Sequence, residues 1–172
     1  MLFIESKLEG AYLLEIEPIN DNRGFFTRTF CVNEFKNNGL CTNFVQQNLS
    51  YNKKKGTLRG LHFQEAPYAE TKLIQCVNGE IYDVIVDIRE NSDTYMQWEA
   101  FLLNSENRKI VYVPKGFAHG FLTLTDNCSV IYMVDEFYAP GSERGIAYND
   151  KRLNIKWPIK KNIIISNKDK SL

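Results

Sequence analysis

The chain has 172 residues, a length that fits one domain of about 100–200 residues, able to bury a core without disulfides or a structural metal. Lysine plus arginine equals aspartate plus glutamate at 21 each. No global field therefore draws the protein to nucleic acid, an anionic membrane or a polycation, and an anionic ligand has to be held by a local cluster.

In chain order, Met1-Leu2-Phe3-Ile4-Glu5-Ser6-Lys7 reaches an acidic residue too early for a secretory signal, and no apolar run approaches the ~18 residues of a membrane span. The expectation is a soluble cytoplasmic protein. Val32 to Asn38 reads as a short helix ended by Gly39, and the lysine-rich stretch Asn52 to Lys55 as an exposed loop. From Leu58 onward, short segments rich in Val, Ile, Tyr and Phe are separated by Gly, Asn, Asp and Pro, the rhythm of a sandwich or barrel. The segments Lys72 to Val77 and Glu80 to Ile88, joined by Asn78-Gly79, predict a hairpin closed by a type I′ turn. Further strands are expected at Trp98 to Leu103, Lys109 to Val113, Gly120 to Thr125 and Ser129 to Phe137, with a turn at Pro114-Lys115-Gly116. After Trp157-Pro158 the Lys/Asn-rich tail carries Ile163-Ile164-Ile165, an apolar patch expected to pack back onto the barrel. With no repeat and no linker, the reading is a single all-β domain over residues 1–172.

The four cysteines, Cys31, Cys41, Cys76 and Cys128, form no C-x-x-C pair, which argues against a zinc ribbon or redox motif and for reduced structural thiols. Only two histidines occur, His62 in Leu58-Arg59-Gly60-Leu61-His62-Phe63-Gln64 and His119 in Pro114-Lys115-Gly116-Phe117-Ala118-His119-Gly120. Each sits beside glycines that let backbone bend or approach a ligand, and each reads equally as a hydrogen-bonded structural histidine. Arg59, three positions before His62, suits an anion held next to a proton-transfer site, though alone it reads as a surface charge. Strict alternation puts Arg59 and His62 on opposite faces of a strand, so a shared pocket needs a bulge, which Gly60 permits. Lys72 reads by itself as an exposed edge lysine, and alternatively as a cation facing a developing oxyanion. Asp83 and Asp87 interrupt the apolar run Ile81 to Ile88, so each needs water or a buried partner such as a histidine or Lys72.

Pro114-x-Gly116-x-x-His119 matches the second half-motif of cupin barrels, and Gly79-Glu80 is similar to the end of the first. A metal cupin normally supplies an H-x-H pair, and here the position two before His62 is Gly60. The metal-free reading is favoured, with an open iron site built from two histidines and a carboxylate as the alternative.

The ordered set Asp21-x-Arg23-Gly24-x-Phe26, Gln46-x-Asn48-x-Ser50, Leu58 to Gln64, Lys72-Leu73, Gly79-Glu80-x-x-Asp83 and Gly116-Phe117-Ala118-His119-Gly120-Phe121 resembles the dTDP-4-dehydrorhamnose 3,5-epimerase family. It continues through Tyr132, Tyr138-x-Pro140, Glu143-x-Gly145-Ile146, Asn149-Asp150, Trp157-Pro158 and Ser166-x-Lys168-Asp169, so the similarity spans about Glu17 to Asp169. The resemblance implies a cupin-type double-stranded β-helix, or jelly-roll barrel, with short flanking helices. It further implies inversion of C3 and C5 of a nucleotide-linked 4-keto-6-deoxy sugar in deoxysugar and O-antigen biosynthesis, with no cofactor and no metal, in a homodimer.

Carried over residue by residue, His62 resembles the family's base, Asp169 its dyad partner, Tyr132 the acid on the opposite face and Lys72 the cation for the enolate oxygen, with Asp83 and His119 nearby. Arg23, Gln46, Gln47, Asn48, Arg59, Glu143 and Lys168 are implied around the nucleotide, with Phe26 and Tyr138 as stacking groups. These roles make chemical sense: an imidazole titrates near working pH, a carboxylate on its far nitrogen fixes the tautomer, and inversion needs acid and base on two faces. One position departs from the family pattern, in which a glutamate stands two residues beyond the phenylalanine of Arg-Gly-x-Phe; here it is Arg28. The rival readings are a mono-epimerase or an epimerase of another nucleotide sugar, a metal-dependent cupin enzyme, and a non-catalytic carbohydrate-binding barrel.

Overall fold

The computed structural model describes every residue from Met1 to Leu172. In chain order the strands are β1 (Leu2–Glu5), β2 (Tyr12–Glu15), β3 (Ile19–Asp21), β4 (Gly24–Phe26), β5 (Gln46–Asn52), β6 (Thr57–Gln64) and β7 (Lys72–Asn78). They continue with β8 (Glu80–Asp87), β9 (Trp98–Asn104), β10 (Ile110–Val113), β11 (Phe117–Thr123), β12 (Cys128–Val134), β13 (Glu143–Gly145) and β14 (Ile164–Ile165). Two short helices complete the chain, α1 (Val32–Asn37) and α2 (Asn167–Lys170). Gly39 follows α1 with φ +69°, the conformation that ends a helix at little cost for glycine. No helix is long and apolar enough to cross a membrane.

Two sheets form the barrel, one ordered β1-β2-β10-β7-β12-β5 and the other β13-β6-β11-β8-β9, with β14 added in parallel to β6; β3 and β4 make a separate two-stranded arm. This is the cupin-type jelly roll. The alternation along each strand sorts side chains into an inner and an outer face. Ile74 and Cys76 of β7, Ile81 and Ile85 of β8, Phe117 and Phe121 of β11 and Cys128 and Val130 of β12 meet in one buried cluster between the sheets. Val84 and Val86 of β8, Ala118 and Leu122 of β11 and Leu58 of β6 point the other way and are covered by Leu153, Trp157 and Ile165 of the C-terminal segment. The Trp98 and Trp157 indoles donate to Leu153 O and Tyr148 O at 2.8 Å, fixing that segment. The tail thus packs back as its isoleucines predict.

The expected hairpin is not one. β7 and β8 are joined by Gly79 alone, but β7 pairs β10 and β12 in one sheet while β8 pairs β11 and β9 in the other. Asn78 keeps strand backbone opposite Ser129, and only Gly79 takes a positive φ, +78°, so the connection is an arch between sheets and not a type I′ turn. A Cβ at Gly79 would stand 2.7 Å from Cys128 Sγ and Thr125 Oγ1, so the corner admits only glycine. Lys72 is therefore no edge lysine; it lies in a central strand, buried. Asn52, expected in an exposed loop, ends β5 and is buried, with the loop confined to the lysines after it.

All four cysteines are free. Burial pushes the Cys76 thiol up to about 12, which suits a packing role.

Candidate active site

Between the two sheets the interior opens into a cavity of about 680 Å³. The strands that fill the closed end with apolar side chains line it with polar ones. Along the inner face of β7, Cys76 and Ile74 are followed by Lys72; along β12, Cys128 and Val130 are followed by Tyr132; along β11, His119 stands between Phe117 and Phe121.

Gly60 sets the geometry of β6. Between Arg59 and His62 this strand advances three residues while β11 advances two, from Phe121 to His119, so β6 carries the bulge that a shared pocket requires. Gly60 has φ +96°, and a Cβ there would stand 2.5 Å from His119 O, so no larger residue fits. Arg59 and His62 consequently line the same cavity. Arg59 is held by its Nε donating to Asn52 Oδ1 at 2.7 Å.

The bulge also supplies a bond. The Gly60 N–H donates to Asp169 Oδ2 at 3.2 Å, and Asp169 Oδ1 is 2.9 Å from His62 Nε2. Asp169 is buried in α2, whose start is capped by Ser166 Oγ accepting from the Asp169 N–H at 3.1 Å. With Nε2–H donating to Asp169, the other ring nitrogen of His62 is the basic one. His119 makes a second pair, Nε2 to Asp83 Oδ2 at 2.7 Å, while Asp83 Oδ1 is buried without a partner.

Tyr132 reaches the cavity from the sheet opposite His62. Burial, helped by the negative charges of Glu70 and Glu143 and opposed by Arg59, pushes its phenol above the usual tyrosine range, so it carries its proton at neutral pH. At the mouth, Lys168 Nζ lies 2.7 Å from both oxygens of Glu143, and the Tyr138 hydroxyl donates to Glu143 at 2.6 Å. Burial pushes the Glu143 carboxyl up, but Lys168 and Tyr138 outweigh it and hold it below the usual range. The same contact raises the Lys168 ammonium.

Of the residues singled out from sequence, His62, Asp169, Tyr132, Lys72, Gln46, Asn48, Arg59, His119, Tyr138, Glu143 and Lys168 all line this cavity. Asp83 contributes through His119 and does not line the cavity. Gln47 is exposed on β5 between Gln46 and Asn48, which alternation turns to the cavity. Arg23 and Phe26 sit on the β3–β4 arm, 85% and 71% exposed, with the Arg23 guanidinium paired to Asp21 at 2.6 Å, and neither lines the cavity. Arg28 pairs with Glu34 at 3.3 Å, and Glu34 also holds the Met1 ammonium at 2.9 Å. Sequence reasoning assigned no role to Glu70 or to Gln64, which line the cavity with Lys72; Gln64 stood only as the end of the Leu58-to-Gln64 segment, and Glu70 carried no signal. No three His, Cys, Asp or Glu side chains are grouped so that they could hold a metal ion, and each histidine is paired with its own aspartate.

The profile of the dTDP-4-dehydrorhamnose 3,5-epimerase family matches residues 5–172. A dTDP-4-dehydrorhamnose 3,5-epimerase of Methanothermobacter thermautotrophicus is 46% identical over 172 residues, 98% of this chain and 91% of that protein. The crystal structure of the Bacillus anthracis dTDP-4-dehydrorhamnose 3,5-epimerase with TDP and PPi bound superposes with a TM-score of 0.96 at 46% identity, covering 99% of this chain and 97% of that one. The Legionella pneumophila dTDP-6-deoxy-D-glucose-3,5-epimerase in complex with dTDP-4-keto-L-rhamnose gives 0.94 at 37% identity, covering 99% and 90%. With the family profile matching residues 5–172 and relatives 46% identical over nearly the whole of both chains, the chain belongs to the dTDP-4-dehydrorhamnose 3,5-epimerase family.

Proposed function

We propose that the chain converts dTDP-4-dehydro-6-deoxy-D-glucose to dTDP-4-dehydro-L-rhamnose by inverting C3 and C5 of the sugar. The observation that carries this reading is the pairing of His62 with Asp169 at 2.9 Å in the cavity that Tyr132 enters from the opposite sheet. His62 takes the proton from the carbon beside the C4 ketone, and the C–H electron pair moves into the enolate. Asp169 stabilises the imidazolium that results, and Lys72 faces the enolate oxygen, where a cation already in place needs no reorganisation. The Tyr132 O–H then delivers a proton to the opposite face of the same carbon, which completes inversion. Before the same groups act at the second carbon, equally adjacent to the ketone, the His62 imidazolium gives its proton to water and the Tyr132 phenolate takes one back, which restores the base and the acid.

No cofactor or metal is needed for this chemistry, and the donor set supports that reading, since the chain has only two histidines and no third His, Cys, Asp or Glu side chain joins them in a group able to hold an ion. In this reading Arg59 and Lys168, the latter on leaving Glu143, bind the diphosphate in a chain without net charge, and Tyr138, exposed beside them, stacks on the base. The unit of function is one domain over residues 1–172, cytoplasmic, and serving deoxysugar synthesis for cell-surface polysaccharide such as O-antigen.

The active form is a homodimer. Ile19 and Phe26 on the arm and Leu49 and Tyr51 on the free edge strand β5 are exposed apolar side chains that a second copy would cover. In that arrangement Arg23 and Phe26 of the partner subunit complete the nucleotide site they do not reach in their own chain. Gel filtration is expected to give a dimer, and a monomer with full activity contradicts this part.

The test of the reaction is product analysis with the purified protein dialysed against chelator. Formation of the doubly inverted sugar at an undiminished rate is expected. Inversion at one carbon only would make the chain a mono-epimerase, and activity lost to chelator and restored by iron, manganese or zinc would favour the metal-cupin reading.

A further inference from the structure

One carboxylate in the cavity has no part in the proposed mechanism. Glu70 lies in the connection from β6 to β7, and its Oε1 is 3.0 Å from Lys72 Nζ, the two side chains being 14% and 10% exposed. Its other oxygen faces Gln64 Nε2 at a long 3.5 Å. Gln64 is itself fixed, donating to Tyr68 O at 3.0 Å and Phe137 O at 3.2 Å and accepting from the Ala139 N–H at 2.6 Å. Behind Glu70, the Thr71 N–H donates to Asp135 Oδ1 at 2.6 Å. Glu70 is thus a secured position in the cavity wall.

A lysine sits on a flexible stem with many rotamers, so an unattached ammonium would have to be recruited to the enolate at each turnover. A cation already in place is worth more. One carboxylate contact occupies part of the ammonium's three donors and leaves the rest for the cavity. A bare carboxylate beside a forming enolate would oppose it, and commitment to Lys72 removes that objection.

We propose that Glu70 is a positioning residue of the epimerisation, holding the Lys72 ammonium toward the point where the enolate oxygen forms. The proposal rests on the reading of Lys72 as the enolate-facing cation. Glu70 has a second effect: beside burial, its negative charge raises the Tyr132 phenol, with Glu143 acting in the same direction and Arg59 against it, in a cavity shared with His62 and Lys72. Removing the Glu70 charge lowers the phenol and brings the alkaline loss of activity to lower pH.

The experiment compares Glu70→Gln, Glu70→Ala, Lys72→Ala and the Glu70→Ala/Lys72→Ala double variant in turnover and in deuterium uptake from heavy water. Glu70→Ala is expected to lower kcat about tenfold with KM changed less than about threefold, and added formate to restore part of the rate. Glu70→Gln is expected to lose less and to shift the alkaline limb downward; its amide preserves the shape of the wall should the alanine variant fold poorly. At neutral pH, where Tyr132 keeps its proton with or without Glu70, the double variant should be no slower than Lys72→Ala, since there both substitutions act through one group. Wild-type kcat and an unmoved alkaline limb in Glu70→Gln, or additive losses in the double variant, overturn the proposal while Lys72→Ala remains slow. Lys72→Ala with wild-type turnover overturns the reading of Lys72 and the Glu70 proposal together.

Discussion

Asp87 and Asp83 lie four residues apart on β8, and both are wholly buried, but their surroundings use them differently. At the Asp87 corner, Oδ1 accepts from the Arg89 N–H and Nε at 2.9 Å, and Oδ2 accepts from Arg89 Nη2 at 2.7 Å and from Ser92 and Thr94 hydroxyls at 2.6 Å. Burial alone would raise this carboxyl; the five donors overcome it and hold it at about 2. Asp83 has one partner, His119, and one oxygen with none. A corner that closes on itself stabilises the fold, whereas side chains with bonding capacity left over can act on something that arrives. Asp83 spends one oxygen holding His119, which lines the cavity; in the same way Asp169 and Glu70 hold His62 and Lys72 from one side and leave the other toward the cavity, which Tyr132 also lines.

The contrast predicts that substitutions in the two regions fail in opposite ways. His62→Ala should lower turnover about a hundredfold or more, the scale of a lost general base, with dTDP affinity and melting temperature nearly unchanged. A comparable loss of stability would move His62 to the structural side.

Asp87→Asn should do the reverse, leaving kcat intact and lowering stability by about 2 kcal/mol at neutral pH, at ~1.4 kcal/mol per pKa unit. Because the folded-state value of about 2 lies below the ordinary aspartate value near 3.9, this stabilisation is fully present above about pH 4 and lost as pH falls through about 2. Denaturant titrations of wild type and variant should therefore converge in strong acid; a constant gap would refute the assignment.

Tyr132→Phe should slow inversion about tenfold or more while proton loss, read as deuterium wash-in with retained configuration, falls less. Equal losses would make Tyr132 part of the binding site only. The smallest effect is expected at the apolar end: Ile74→Val should cost about 1 kcal/mol and leave the kinetics alone, although Ile74 is two residues from Lys72 on the same face of β7.

Much of this division was legible in the sequence. Two histidines, each near a glycine, and the need for a bulge at Gly60 led to the β6 geometry, and Gly39 and Gly116 mark a helix end and a turn where the chain places them. Partition into sheets was not legible: Asn78-Gly79 has the chemistry of a hairpin turn, and only packing against Thr125 and Cys128 makes it an arch. β5 was invisible because its inward residues Gln46, Asn48 and Ser50 face the cavity and not the core, so it lacks an apolar alternation. Lys72 read as an edge charge for want of its neighbours in the sheet, and Glu70 drew no reading, since nothing in the spacing says that the residue two before a strand lysine turns into the same cavity. Arg23 and Phe26 were tied to the site by resemblance, and no spacing within the chain says that they point away from it.

The central claim is that His62 and Tyr132 exchange protons with the two carbons flanking a ketone, from opposite faces. Incubation with dTDP-4-dehydro-6-deoxy-D-glucose in heavy water, with deuterium assigned carbon by carbon, tests it most directly. The account predicts one deuterium at C3 and one at C5 of the inverted product with wild type, and neither with His62→Ala. Inverted sugar that keeps its original hydrogens, or full incorporation by His62→Ala, would contradict it.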